Sequence, residues 1–379
     1  MPAKPVITGI DALVSTQFVA LHGLRLGLVT NHTGLDSEGR ATVDLLHHAP
    51  GVDLRVLFSP EHGIRGLLDE AVHDGRDSRT GLPVYSLYGE RTRPSAAQLA
   101  DLDALVYDIQ DIGARFYTYS STLGLVMEEA ARHGLAYYVL DRPNPLGGIE
   151  VEGPLADPDK LSFTAYHTVP VRHGLTVGEL AALYNGEKGI GAKLQVIQMQ
   201  NWKRSTMWDG TGLTWVNPSP NMRSFTESLL YPGICLLEAT NVSVGRGTDT
   251  PFELVGAPWI EARALAESLN HRRLPGVRFI PVRFTPKSSV HAGAECGGIN
   301  IVITSQRSFL PVLTGMAIGD TLLRLYRDHW TYSQFDRLLV NRAAYDAFMR
   351  GERAEEIVHS WGSQIHSFKS RRAPYLLYS

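Results

Sequence analysis

The stretch ALVYDIQDIGARFYTYSSTLGLVMEEAARHGLAYYVLDRPNP, residues 104–145, carries the pattern that decides the fold. Ala104 to Ile109 is a short apolar run that ends in the polar cluster Asp108-Ile109-Gln110-Asp111. Thr122 to His133 has the apolar spacing of an amphipathic helix. Tyr137 to Leu140 is a second apolar run, followed by Asp141-Arg142-Pro143-Asn144-Pro145. Strand, polar loop, helix and strand is the unit of a parallel sheet covered by helices, because parallel neighbours need a crossover long enough to hold a helix.

The same rhythm continues upstream. Leu24 to Thr30 runs into Asn31-His32-Thr33-Gly34, and Leu54 to Phe58 into Ser59-Pro60-Glu61-His62-Gly63. Ligands of open α/β sheets gather at the carboxyl ends of strands, so four polar clusters at such ends point to one shared site. Downstream, Thr176 to Tyr184 reads as a helix with Thr176 as N-cap and Glu179 at the capping-box position. Strand-like Leu194 to Met199 and a Trp-, Asn- and Pro-rich stretch from Trp202 to Tyr231 follow. A second α+β region is expected from near Asn241 to Gly247, with a helix at Ala262 to Leu269, strands near Val277 to Phe284 and Ile299 to Thr304, and a helix from Pro311 to Tyr326. The expected division is therefore 1–240 and 241–379.

Composition agrees with that size. The chain has 379 residues, 44% hydrophobic, enough for a sizeable core and two domains. Lys+Arg 36 against Asp+Glu 39 gives a net charge of -3 with no like-charge run, so electrostatics offers no case for nucleic acid or an anionic membrane as partner. Cys235 and Cys296 stand far apart without histidines at ligand spacing, and are expected to be buried apolar thiols. Met1 to Ile10 lacks a signal-peptide core and no run reaches membrane-spanning length, so the chain as given reads as soluble and cytoplasmic. A chain that had lost an export leader would read the same way and act in the periplasm or outside the cell.

Glu61 follows an apolar run and stands between Pro60 and His62-Gly63, where a loop holds it at the sheet's carboxyl edge. It is the best single acid/base candidate; the alternative is an exposed loop carboxylate beside Arg65. Asp108, Asp111, Arg115, Tyr117 and Tyr119 share one short segment. Carboxylates bind hydroxyls, rings carry sugar faces, and a guanidinium holds a carboxylate, so this set suits a sugar acid. The alternative is a structural Asp–Arg pair with the tyrosines in the core. Asn144 lies in a turn stiffened by two prolines, and Glu152 follows as a second-rank carboxylate, in what could equally be a connector.

His173, the pair Asn217 and Asn221, Glu238, and Arg246 with Asp249 complete the candidates; the Gly245-Arg246-Gly247 turn is expected to let Arg246 and Asp249 face a cleft. There is no Gly-x-Ser-x-Gly, no His-Glu-x-x-His and no Gly-x-Gly-x-x-Gly after the first strand. No metal and no cofactor is expected.

Taken together, Asn31-His32-Thr33-Gly34, Ser59-Pro60-Glu61-His62-Gly63, Tyr107 to Tyr119, Asp141-Arg142-Pro143-Asn144-Pro145, Val151-Glu152-Gly153-Pro154 and Glu238-Ala239-Thr240-Asn241 resemble the DUF1343, or NamZ-like, exo-β-N-acetylmuramidase family. The resemblance continues through Phe284-Thr285-Pro286, Cys296-Gly297-Gly298 and Tyr375-Leu376-Leu377-Tyr378. It implies a Rossmann-like N-terminal domain, a smaller C-terminal α/β domain and a site in the cleft between them. It also implies the substrate, a non-reducing-end N-acetylmuramic acid β-1,4-linked to N-acetylglucosamine, as found in peptidoglycan fragments.

On that footing Glu61 is the expected general acid. Asp111 is the first choice for a second carboxylate, with Asp108, Glu152 and Glu238 as competitors. Arg115 or Arg246 would hold the lactyl carboxylate, and Tyr117, Tyr119, Asn144, Asn217 and Asn221 the hydroxyl and acetamido groups. Asn31, His62, His173 and Asp249 complete the expected binding set. Two other readings are a non-catalytic muropeptide-binding protein and a metal-dependent hydrolase.

Overall fold

In a computed structural model, the structure describes residues 4–61, 63–64 and 74–379. The strands are β1 Arg25–Thr30, β2 Asp53–Ser59, β3 Gly75–Arg76, β4 Pro83–Ser86, β5 Ala104–Asp108, β6 Ala136–Leu140, β7 Glu152–Leu155, β8 Pro170–Arg172, β9 Lys193–Ile197, β10 Leu254–Ala257, β11 Val277–Phe284 and β12 Cys296–Ile303. A seven-stranded sheet runs in the order β3-β4-β2-β1-β5-β6-β9, all parallel except β3 against β4. The crossovers between its parallel strands carry helices, among them Thr42–His48, Tyr119–Arg132 and Val177–Glu187. A smaller antiparallel sheet, β10-β12-β11, forms the second layer system, and β7 and β8 make a separate pair. The molecule is a two-domain α/β protein.

Alternation along the strands explains why the large sheet is covered on both faces. On β5, Ala104 and Val106 enter one apolar cluster with Ile10, Leu13, Leu28 and Leu46, while Leu105 and Tyr107 enter the other with Leu123, Met127 and Leu180. Successive side chains of a strand point to opposite faces, so a run apolar at every position requires helices on both sides. The second cluster continues without a break into the C-terminal layers through Leu230, Ile234, Met316 and Phe279.

Helix Phe225–Ile234 lies before residue 240 in sequence yet packs against helix Pro311–Tyr326. Gly233 and Gly315 make that crossing possible: a Cβ on Gly233 would stand 1.8 Å from Pro311 O, and one on Gly315 2.2 Å from Gly233 O. Ser224 and Glu227 cap the helix in a capping box, which starts it cleanly after the proline-rich stretch. Among the described residues no helix is long and apolar enough to cross a membrane.

Candidate active site

β1 has β2 on one side and β5 on the other, and chain order reverses direction between β1 and β5, so a crevice opens at their carboxyl ends. Thr30 Oγ1 donates to Asp108 O at 2.7 Å, and Gln110 N donates to Thr33 Oγ1 at 3.0 Å, which locks the two strand ends together. Beyond them a cavity of ≈ 170 Å³ is lined by Glu61, Phe116, Tyr117, Thr118, Tyr119, Ser219, Asn221, Tyr231, Arg246 and Phe252. Its walls thus come from the end of β2, the start of helix Tyr119–Arg132, the proline-rich loop, helix Phe225–Ile234 and the turn before β10.

Glu61 is half-buried at this cavity. Thr118 Oγ1 donates to its Oε2 at 3.2 Å. The phenol of Tyr88 also lies against it; burial, then hydrogen bonding to Glu61, pushes the Tyr88 hydroxyl up to about 12. The aromatic wall is a chain of edge-on rings: Tyr117 with Tyr119 at 4.9 Å, Tyr117 with Tyr231 at 5.7 Å, and Tyr231 with Phe252 at 4.9 Å. Tyr119 is fixed by donating to Pro218 O at 2.7 Å, while burial leaves the Tyr117 hydroxyl without a hydrogen-bond partner among the described residues. Burial holds both phenols well above their usual range, so both are neutral donors at ordinary pH.

Of the sequence-derived candidates, Glu61, Tyr117, Tyr119, Asn221 and Arg246 meet at this cavity. Glu238 stands behind Arg246, paired with its Nε, and takes a hydrogen bond from the Cys235 thiol at 3.0 Å. Asn31 lies beside Tyr119 and lines the ≈ 1000 Å³ depression rather than this cavity; its Oδ1 accepts from Thr33 N and Oγ1 at 2.9 and 2.6 Å. His62 lies outside the described residues.

The remaining candidates are placed elsewhere, each for a physical reason. Asp108 is buried in a two-point ion pair with Arg142, at 2.6 and 2.9 Å, and accepts from Thr42 Oγ1 at 2.5 Å. Arg115 is fully buried and donates to the carbonyls of Pro154, Val169, Leu338 and Leu339 at 2.7–3.0 Å. That burial pulls the Arg115 guanidinium down to about 9 and spends it on joining the β7–β8 pair to the C-terminal helices. Asp111 does not line the cavity. It accepts from Gly113 N at 2.7 Å, burial raises it to about 7, and its nearest base is His173, with Nε2 3.9 Å from Oδ2. His173 is itself held neutral: burial, then the charges of Arg372 and Arg115, lower it to about 3, and its Nδ1 accepts from Leu175 N.

Asn144 closes its turn, accepting from Leu146 N and donating to Leu175 O, both at 2.9 Å. Gly113, at φ +81°, leaves the room that Asn144 fills, since a Cβ there would stand 2.3 Å from Asn144 Oδ1. Glu152 receives Leu313 N at 2.9 Å at the start of helix Pro311–Tyr326, and burial raises it to about 7. Asn217 is exposed and offers its carbonyl to His32 Nε2 at 2.6 Å. The Asp249 side chain is 96% exposed and leans towards Arg223.

Sequence reasoning missed Phe116, Thr118, Ser219, Tyr231 and Phe252. Thr118 lay inside the aromatic segment and Ser219 between the two singled-out asparagines, but Tyr231 and Phe252 reach the cavity only through the packing of the second domain. Larger depressions of ≈ 1000, ≈ 440 and ≈ 210 Å³ also occur among the described residues. In the two largest, Asp44 pairs with Arg79, Asp36 with Arg40, and Asp11 caps the first helix. The ≈ 170 Å³ cavity is the one at which Glu61 meets Tyr117, Tyr119, Asn221 and Arg246. Among the described residues no group of three His, Cys, Asp or Glu side chains is placed to hold a metal ion.

A cleft with a carboxylate, hydroxyls, aromatic rings and a guanidinium on its walls makes this a two-domain α/β protein with a polar, aromatic-walled ligand site. Comparison with known proteins narrows this. Residues 26–226 match the N-terminal domain model of the exo-β-N-acetylmuramidase NamZ, and residues 229–378 match its C-terminal domain model. The chain is 42% identical to the peptidoglycan β-N-acetylmuramidase NamZ of Bacillus subtilis (strain 168), over 99% of this chain and 92% of that one. A DUF1343 family protein of Bacteroides fragilis NCTC 9343 superposes with a TM-score of 0.94 at 37% identity, covering 100% of both chains. A second from the same organism gives 0.82 at 31% identity, covering 99% of each. The chain belongs to the NamZ exo-β-N-acetylmuramidase family.

Proposed function

We propose that this protein is a glycosidase that releases a terminal, non-reducing-end N-acetylmuramic acid from β-1,4-linked peptidoglycan fragments such as MurNAc-GlcNAc. The observation that carries the reading is Glu61, half-buried at the cavity and held there by the hydroxyls of Thr118 and Tyr88. A carboxyl so oriented is placed to give its proton to the glycosidic oxygen as the bond to the anomeric carbon breaks. Water then adds its oxygen to the anomeric carbon and loses a proton, so each turnover consumes one water. The aromatic wall supports the sugar face, and the hydroxyls of Tyr117 and Ser219 with the amide of Asn221 offer donors and acceptors for ring hydroxyls and the acetamido group.

Asp111, the sequence's first choice for a second carboxylate, is buried and does not line the cavity. The test is release of free N-acetylmuramic acid from MurNAc-GlcNAc by the parent and by Glu61→Gln. Binding without release by either would favour a muropeptide-binding protein.

A further inference from the structure

Arg246 is the guanidinium on the cavity wall among the described residues, and its side chain is 33% exposed. Three neighbours fix it. Glu238 meets its Nε, and the other Glu238 oxygen is turned to the Cys235 thiol. The guanidinium carbon stands 5.5 Å from the centre of the Phe252 ring, which is in turn braced edge-on by Tyr231. Phe252 has φ +65°, a left-handed conformation that costs energy for a residue with a side chain. The backbone bears that strain while keeping an aromatic face under the cation.

Neither Nη1 nor Nη2 of Arg246 makes a hydrogen bond to a described residue. A guanidinium pinned at Nε, stacked on a ring and open at both terminal nitrogens is a planar fork matched to a carboxylate. We propose that Arg246, positioned by Glu238 and Phe252, binds the lactyl carboxylate of the muramic acid and thereby selects it over N-acetylglucosamine, which lacks that group. This rests on the proposed muramidase activity. Arg115, the other cation expected at the site, is fully buried and already donates to four carbonyls.

The experiment compares two substrates, the MurNAc-GlcNAc acid and its lactyl methyl ester, on the parent and on Arg246→Met. Losing a charge-assisted hydrogen-bonded pair lowers affinity roughly tenfold to a hundredfold. In the parent, the ester should show a kcat/KM lower by that factor, mainly through KM. Arg246→Met should lose activity on the acid by a similar factor and lose at least several-fold less on the ester. Equal use of acid and ester by the parent overturns the inference while leaving the muramidase reading intact. So does an Arg246→Met loss that is the same on both substrates. Calorimetry of free N-acetylmuramic acid and its methyl ester with the parent applies the same test without turnover: equal affinities overturn the proposal.

Discussion

Thr118 donates its hydroxyl to Glu61 Oε2 at 3.2 Å, tying the loop after β2 to the first turn of the helix that follows β5. The contact joins two of the polar clusters at the sheet's carboxyl edge and, with the Tyr88 hydroxyl, helps orient the proposed acid. Replacing Thr118 by Val keeps the shape and removes the donor. The expected result is a kcat about tenfold lower, since a single orienting hydrogen bond is worth about that much. KM and the melting temperature should change little. A Thr118→Val enzyme with full kcat would mean that Glu61 needs no such support.

Arg115 stabilises the fold rather than the ligand. Its guanidinium serves four backbone carbonyls, so Arg115→Met leaves buried acceptors unmatched and should cost at least about 3 kcal/mol in chemical unfolding. KM for MurNAc-GlcNAc should move far less than it does for Arg246→Met. A variant of unchanged stability would contradict the assignment.

Asp111 links pH to stability. Burial raises its carboxyl from the ordinary 3.8 to about 7 in the folded chain. The protonated form is the one the fold accommodates, so its contribution is complete below about pH 4 and is lost as pH rises through about 7. Asn at this position does not titrate. The stability difference between Asp111→Asn and the parent should therefore shift in favour of the variant between pH 4 and pH 7, measured by urea unfolding at stepped pH. A difference that is flat across that range would show that Asp111 titrates normally.

Much of the scaffold was legible because local chemistry and global packing agree. The runs at Leu24 to Thr30, Leu54 to Phe58 and Tyr137 to Leu140 became β1, β2 and β6 with shifts of a residue at either end, and Pro311 to Tyr326 is a helix as expected. Thr176 caps its helix with Glu179 in the capping box. The helix Phe225–Ile234 was hidden, since Pro232 and the proline-rich loop before it mask the helical period, and it forms against the partner surface of Pro311–Tyr326. The short helices between Asp336 and Arg372 were likewise unread.

At the site, residue type was a better guide than burial. Asp108, Arg115, Asn144 and Glu152 were singled out because charged and amide groups cluster there, and the same clustering serves buried pairs and turns. Which carboxylate faces a cavity depends on layers that meet only in three dimensions. Thus Glu61 and Arg246, 185 residues apart, line one cavity, while Asp111 and Tyr117, six apart, do not both reach it.

The central claim is tested most directly by the release of free N-acetylmuramic acid from MurNAc-GlcNAc, comparing the parent with Glu61→Gln, and by binding of the same disaccharide to each. The account predicts release by the parent, a loss of at least about a hundredfold in kcat for the variant, and disaccharide affinity retained within a few-fold. Release by the variant at the parent's rate, or none by either protein despite binding, would contradict it.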